Sequence, residues 1–184
     1  MKELFAILMG GVLLNNYALQ NFLGVTTLLG NSKETKKSAV MGACVTAVTL
    51  ISGVLCHLLD TLVLEGMNGD YLQPLLFTAV VLAVATVLGT LAKIVFKKPL
   101  GVFFPLLALN SAVLGVAVNN ASAGYTLLQS AVASFAVGAG FTLAMVLFCG
   151  IRAKINMKYV PAAFRGLPIY LMAASILALT LFAF

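Results

Sequence analysis

Two short polar patches interrupt long apolar runs in this chain. Residues 25–30 read VTTLLG and residues 110–115 read NSAVLG, which places Thr26 and Ser111 about 85 positions apart in similar surroundings. Asn15 and Asn16 stand before the first patch, and Asn110 opens the second. Hydroxyl and amide oxygens are hard, neutral donors. They can coordinate a cation such as Na⁺ or hydrogen-bond a polar solute, and they suit soft redox metals poorly. Asp60 is the most deeply placed acidic residue, with His57 one turn earlier on the same helical face. An ionisable group inside an apolar run is a candidate ion ligand or proton carrier. Asp60 lies in the last third of its run, near the outer interface, so a half-solvated carboxylate is the competing reading.

The cysteines offer less. Cys44 and Cys56 are twelve residues apart, about 18 Å along a helix, and Cys149 lies far from both. They read as small buried apolar side chains. No C-x-x-C or Cys/His metal spacing exists, nor a disulfide framework. With one His, no Gly-rich phosphate loop and no Ser/His/Asp arrangement, the chain is not expected to be an enzyme on its own; no metal or other cofactor is expected on this chain from its own residues.

These groups must be held by membrane-spanning elements. Of 184 residues, 62% are hydrophobic and 9% charged, with a mean hydropathy of +1.11. Soluble domains carry about 25% charged residues, so this chain cannot cover a water-facing surface. The runs lack the apolar-out, polar-in alternation of a barrel, which leaves an all-α membrane protein. Polar punctuation predicts six spans, at about 4–29, 38–64, 72–95, 102–120, 124–150 and 167–184. Each meets or approaches the roughly 20 apolar residues needed to cross about 30 Å of hydrocarbon. The first begins too close to Met1, and is too long, to be a cleaved signal peptide. One integral domain, 1–184, is the natural count.

Ten of the eleven Lys and Arg residues fall in three loops: Lys33, Lys36 and Lys37; Lys93, Lys97 and Lys98; and Arg152, Lys154, Lys158 and Arg165. The positive-inside bias makes these loops cytoplasmic and puts both termini outside. The net charge of +6 therefore reports topology, and no basic soluble domain is present to bind nucleic acid. The loop RAKINMKYVPAAFRG interleaves basic residues with Ile155, Met157, Tyr159 and Phe164, a pattern that fits anionic headgroups or a docking partner.

With the N-terminus outside, spans 1–3 and 4–6 form halves of inverted topology, about 1–98 and 99–184, as in many transporters. Thr26-Thr27-Leu28-Leu29-Gly30 overlays Ser111-Ala112-Val113-Leu114-Gly115 without a gap. Asn15, Asn16, Asn21 and Gly24 in the first segment, and Pro105, Asn110 and Gly115 in the second, are poor helix residues. Small and amide side chains also serve close helix packing, but their recurrence at matching places of an inverted pair predicts broken first and fourth helices meeting near the bilayer midplane.

NNYALQNFLG (15–24), HLLDTLVL (57–64), FFPLLALNSAVLGVA (103–117), GIRAKI (150–155) and VPAAFRG (160–166) resemble the six-helix integral subunits of the Rnf and Na⁺-NQR electron-transport complexes. The likeness runs through nearly the whole chain and is closest to the A-type subunits of Rnf, equivalent to the E type of Na⁺-NQR. The resemblance implies a bacterial or archaeal cytoplasmic membrane and a homologous partner subunit of opposite topology. It implies further redox-complex subunits, some bearing flavins, and electron transfer coupled to Na⁺ or H⁺ movement. It also implies an iron–sulfur cluster shared by the paired subunits, each giving two cysteines, one after FLG-x and one after the Asn of the fourth span.

This chain departs from the family at both places. Thr26 follows FLG-x and Ser111 follows Asn110. Alcohols ionise far less readily than thiols and replace them poorly as cluster ligands. Two readings stay open. The chain is a subunit of an Rnf-like ion-translocating redox complex without a cluster of its own, or a repurposed member that moves an ion or small molecule without redox chemistry. In the latter, Asn15, Asn16, Thr26, Asn110 and Ser111 line a polar midplane site. A structural membrane anchor for soluble partners is a third, lesser reading.

Overall fold

Gly10 and Gly11 weaken the first helix before the asparagines end it. In the computed structural model, α1 runs from Lys2 to Met9 and passes into a single π turn, Gly10–Leu14. Helical order resumes only at α2, Val25–Asn31. The next elements are α3 (Thr35–Leu59), continued by a π turn at Asp60–Leu64, a 3₁₀ turn at Asp70–Leu72, and α4 (Gln73–Phe96). Then come α5 (Ser111–Ser122), α6 (Leu127–Lys154), a 3₁₀ turn at Ala162–Phe164, and α7 (Leu167–Phe182). The structure describes residues 2–31, 35–64, 70–96 and 110–182, and every regular element among them is helical. The start of the expected fourth span, with Pro105, lies outside the described residues, as do the loop residues Lys33, Glu34 and Glu65.

Among the described residues, three stretches are long and apolar enough to cross a bilayer unaided: Thr35–Leu64, Gln73–Leu91 and Leu127–Lys154. The apolar part of α7, Leu167–Thr180, is shorter. At 1.5 Å per residue, α2 and α5 reach only about 10 Å and 18 Å. Neither crosses alone.

The longest seam joins α3 to α6, and small residues let the two helices approach. A Cβ on Gly42 would lie 2.6 Å from the Thr142 side chain, and one on Gly138 would lie 2.6 Å from Thr49 Oγ1. Thr46 and Thr142 hydroxyls meet across the seam at 3.1 Å. Lipid tails are as apolar as leucine, so helix association in a bilayer depends on such close packing and on interhelical hydrogen bonds. Leu28 of α2, Met41, Val45 and Val48 of α3, Val113 of α5, and Phe141, Met145 and Phe148 of α6 share one buried cluster. Residues of α7 such as Leu171, Met172, Ile176 and Leu179 stay exposed, as a lipid-facing surface requires.

Contacts along α6 give the depth of everything else. Thr35 reaches Cys149, Thr46 reaches Thr142, and Gly53 accepts from Ser130, so α3 runs antiparallel to α6. The first segment runs parallel to it: Glu3 meets Gln129, Gly11 packs on Ala136, Asn16 reaches Gly140, Gly24 abuts Phe141, and Leu29 reaches Arg152. The non-helical stretch at 15–24 therefore lies beside the midpoint of α6, and the chain continues through it in one direction. Helix α5 is antiparallel to α6 and occupies the other half. Its first residue, Ser111, bonds Gly24, and Asn120 bonds Ser130 and Ser134.

Candidate functional site

The N-termini of α2 and α5 meet at that midpoint. Asn110 caps α5: its Oδ1 accepts the Ala112 N–H at 3.0 Å, and its backbone carbonyl accepts from Val113. Ser111 Oγ accepts the Gly24 N–H at 2.8 Å, tying two positions 87 residues apart. Gly24 has φ +74°, and a Cβ there would fall 2.6 Å from Asn110 Oδ1 and 2.7 Å from the Phe141 ring. Only glycine meets both demands. Gly24 then starts α2, with its carbonyl accepting from Thr27 and Leu28.

Asn110 is 2% exposed, and its Nδ2 has no hydrogen-bond partner among the described residues. A buried amide donor left unpaired costs on the order of 1–3 kcal/mol, so this atom marks a place where an acceptor fits. Thr26, in the first turn of α2, and Ser111 are both exposed, whereas Thr27 is buried. Phe22, in the break, is also exposed and takes φ 52°. A strained non-glycine residue of this kind persists where the surroundings fix it.

The expected site residues divide. Asn110, Ser111 and, through Gly24, the start of the helix carrying Thr26 come together. Asn16 faces away: its Nδ2 donates to Gly140 O at 2.8 Å and its Oδ1 accepts from Ala18 N. It pins the break to α6. Asn15 is exposed and lines a separate cleft with Tyr17, Asn119 and Asn120. Asp60 is remote, its carboxylate accepting from Gln73 Nε2 at 2.8 Å across the turn to α4. The three cysteines are unpaired and lie off the site, and no group of three or more His, Cys, Asp or Glu side chains able to hold a metal ion occurs among the described residues.

Two contributors escape sequence reasoning. Asn120 donates to Ser130 and Ser134 hydroxyls, buried between α5 and α6; its only sequence signal is an amide in an apolar run. Arg152 donates to Leu29 O at 2.7 Å and lies over the Tyr170 ring at 4.0 Å. In the sequence it is one more basic loop residue, but it holds the C-terminal end of α2.

A bundle with a helix broken beside the middle of a spanning helix, and polar groups gathered there, is the construction of membrane subunits that move ions or solutes. Over residues 4–184 the chain matches the family described as "Rnf-Nqr subunit, membrane protein", and it belongs to that family. It is similar to relatives named as the A-type subunit of an ion-translocating oxidoreductase complex. That of Syntrophotalea carbinolica is 43% identical, that of Serratia proteamaculans 38% and that of Escherichia fergusonii 37%. In each case the match covers 100% of this chain and 97% of the relative.

The donors present do not fit an iron–sulfur cluster. Such clusters are held by thiolates, and Thr26 and Ser111 offer neutral alcohols. Ser111 Oγ is moreover engaged by the Gly24 amide.

Proposed function

We propose that this chain is the A-type membrane subunit of an ion-translocating oxidoreductase complex, and that it supplies no ligand to an iron–sulfur cluster. Full-length similarity to subunits of that name supports the first part. One observation supports the second: Ser111 Oγ, at one family ligand position, accepts the N–H of Gly24, two residues before Thr26 at the other, and both positions carry hydroxyls in place of thiols. The chain's part in the complex is to shape the ion path and seat the redox subunits, with no electron step through its own residues.

The finer architecture follows the same reading. The chain is one integral domain of six spans, with halves 1–98 and 99–184 inverted relative to each other. Helices α3 and α6 are the matching central members. The termini face outward, and the basic end near Arg152 faces the cytoplasm of a bacterium or archaeon. Exposed Asn21, Phe22, Thr26 and Ser111 surround the break at a depth where lipid offers no hydrogen bonds. A homologous subunit of opposite topology fits there, with flavins on further subunits.

A second reading, a non-redox transporter, is favoured by the unpaired Asn110 Nδ2, a ready donor for a solute acceptor. Iron and acid-labile sulfide in the complex, purified anaerobically through a tag on this chain, separate the outcomes. Iron matching the soluble partners' share, unchanged in Thr26→Ala and Ser111→Ala, is expected. Additional iron that disappears in either variant would overturn the no-cluster reading. A chain that purifies with no redox partner favours the transporter, and solute or ion binding to Asn110→Ala then comes next.

A further inference from the structure

The cleft that holds Asn15 is separate from the α2–α5 junction. Its volume is about 260 Å³, and its walls include Gly10, Asn15, Tyr17, Asn119, Asn120 and Tyr125. It has room for several water molecules. One wall is the α1 face of Ala6, Ile7 and Gly10, and another is the α6 face of Ala133 and Val137. The cleft thus lies along the half of α6 away from Arg152 and reaches Asn15, beside the midpoint of α6.

Its chemistry selects among ligands. Among the described residues no Lys or Arg lines it, which disfavours anions, and no carboxylate, imidazole or thiol lines it, which disfavours multivalent and soft metals. The lining offers amide and phenol oxygens. The hydrogen bonds of the Asn120 side chain are donated by its Nδ2 to Ser130 and Ser134, which leaves its carbonyl oxygen for a ligand. The C-terminal ends of two helices, α1 at its π turn and α5 at Asn119–Ser122, converge on the cleft and bring negative partial charge. The nearby N-terminus of α6 is closed by its capping box, Thr126 with Gln129. Glu3, joined to Gln129 Nε2 at 3.4 Å, adds a carboxylate one helical turn before the lining residue Ala6.

We propose that this cleft is a water-filled vestibule, open on the face opposite the basic loops, that binds a partly hydrated monovalent cation between Asn15, Asn119, Asn120 and the two tyrosines. The inference deepens the proposed role in ion movement and rests on that reading. The site itself is distinct from the α2–α5 junction.

Gly10 supplies the test, because a Cβ there meets nothing within 4 Å. Gly10→Cys is placed in the full chain, within its complex, in sealed vesicles of known sidedness. It is exposed to a membrane-impermeant maleimide, with exposed Ala123 and Ala153 as Cys controls at the two ends and the native chain as blank. Modification from the Ala123 side is expected, slowed roughly tenfold when saturating NaCl or LiCl replaces choline chloride at equal ionic strength. Modification from the Ala153 side, or none while Ala123→Cys reacts, overturns the vestibule. Equal rates in Na⁺, Li⁺ and choline overturn the cation site. Ala6→Cys, at an exposed lining position that is not among the proposed ligands, repeats the measurement should Gly10→Cys not assemble. No electron donor is added, so the labelling stands or falls separately from redox activity.

Discussion

Gly24 carries a backbone constraint and a packing constraint at once. Its φ of +74° disfavours any side chain, and the neighbouring Asn110 amide and Phe141 ring occupy the space a methyl would need. Gly24→Ala is therefore expected to lower stability by about 1–3 kcal/mol, read as an earlier thermal midpoint of the detergent-solubilised complex. A midpoint equal to that of the native chain would mean that the two N-termini do not depend on so close an approach. Part of this site is legible from residue types alone: two hydroxyl patches in matching apolar surroundings single out Thr26, Asn110 and Ser111. The destinations of Asn15 and Asn16 are not legible. The two are adjacent, with the same side chain, and both follow the end of the helix at Leu14. One faces a cleft and the other bonds a carbonyl 124 residues away. That divergence is decided by tertiary pairing, which residue type does not encode.

At the scale of elements, hydropathy and punctuation place the long helices well. The predicted 38–64, 72–95 and 124–150 lie close to the observed Thr35–Leu64, Gln73–Phe96 and Leu127–Lys154. Asn and Gly inside an apolar run also locate the break in the first segment. The π turns escape, because they depend on where neighbouring elements pull the backbone rather than on composition. Equally invisible is which glycines lie in a seam. Gly138 and Gly150 lie on one helix, but only Gly138 has a neighbour within reach of a Cβ. Overpacking costs about 1–3 kcal/mol, so Gly138→Leu and Gly42→Leu are expected to destabilise the α3–α6 pair while Gly150→Leu leaves the thermal midpoint unchanged. Equal loss in all three would mean that helix propensity, not the seam, governs these positions.

Across the whole molecule, α2 is a short helix held at both ends by distant parts of the chain. Gly24 ties its start to α5, and Arg152 ties its end to α6 and, through Tyr170, to α7. Arg152→Ala is expected to raise amide hydrogen exchange across Val25–Asn31 by roughly tenfold, the equivalent of about 1.4 kcal/mol of lost local protection. Arg152→Lys recovers part of it, since a lysine can reach the carbonyl but loses the planar stacking on the ring. Unchanged exchange in both variants would place the hold on α2 in its apolar contacts, through Leu28, instead.

The depth of the broken segment also has an electrical meaning. Asn16, next to the cleft residue Asn15, bonds the carbonyl at the middle of α6, so in the proposed orientation water filling the proposed vestibule would bring the outer potential about halfway through the membrane. The voltage then falls almost entirely across the remaining half. A unit charge crossing 100 mV exchanges about 2.3 kcal/mol with the field, and here that work is concentrated in the short step past the α2–α5 junction. In that arrangement a cation would reach the floor of the cleft nearly free of voltage, and the membrane potential would act on the passage beyond it.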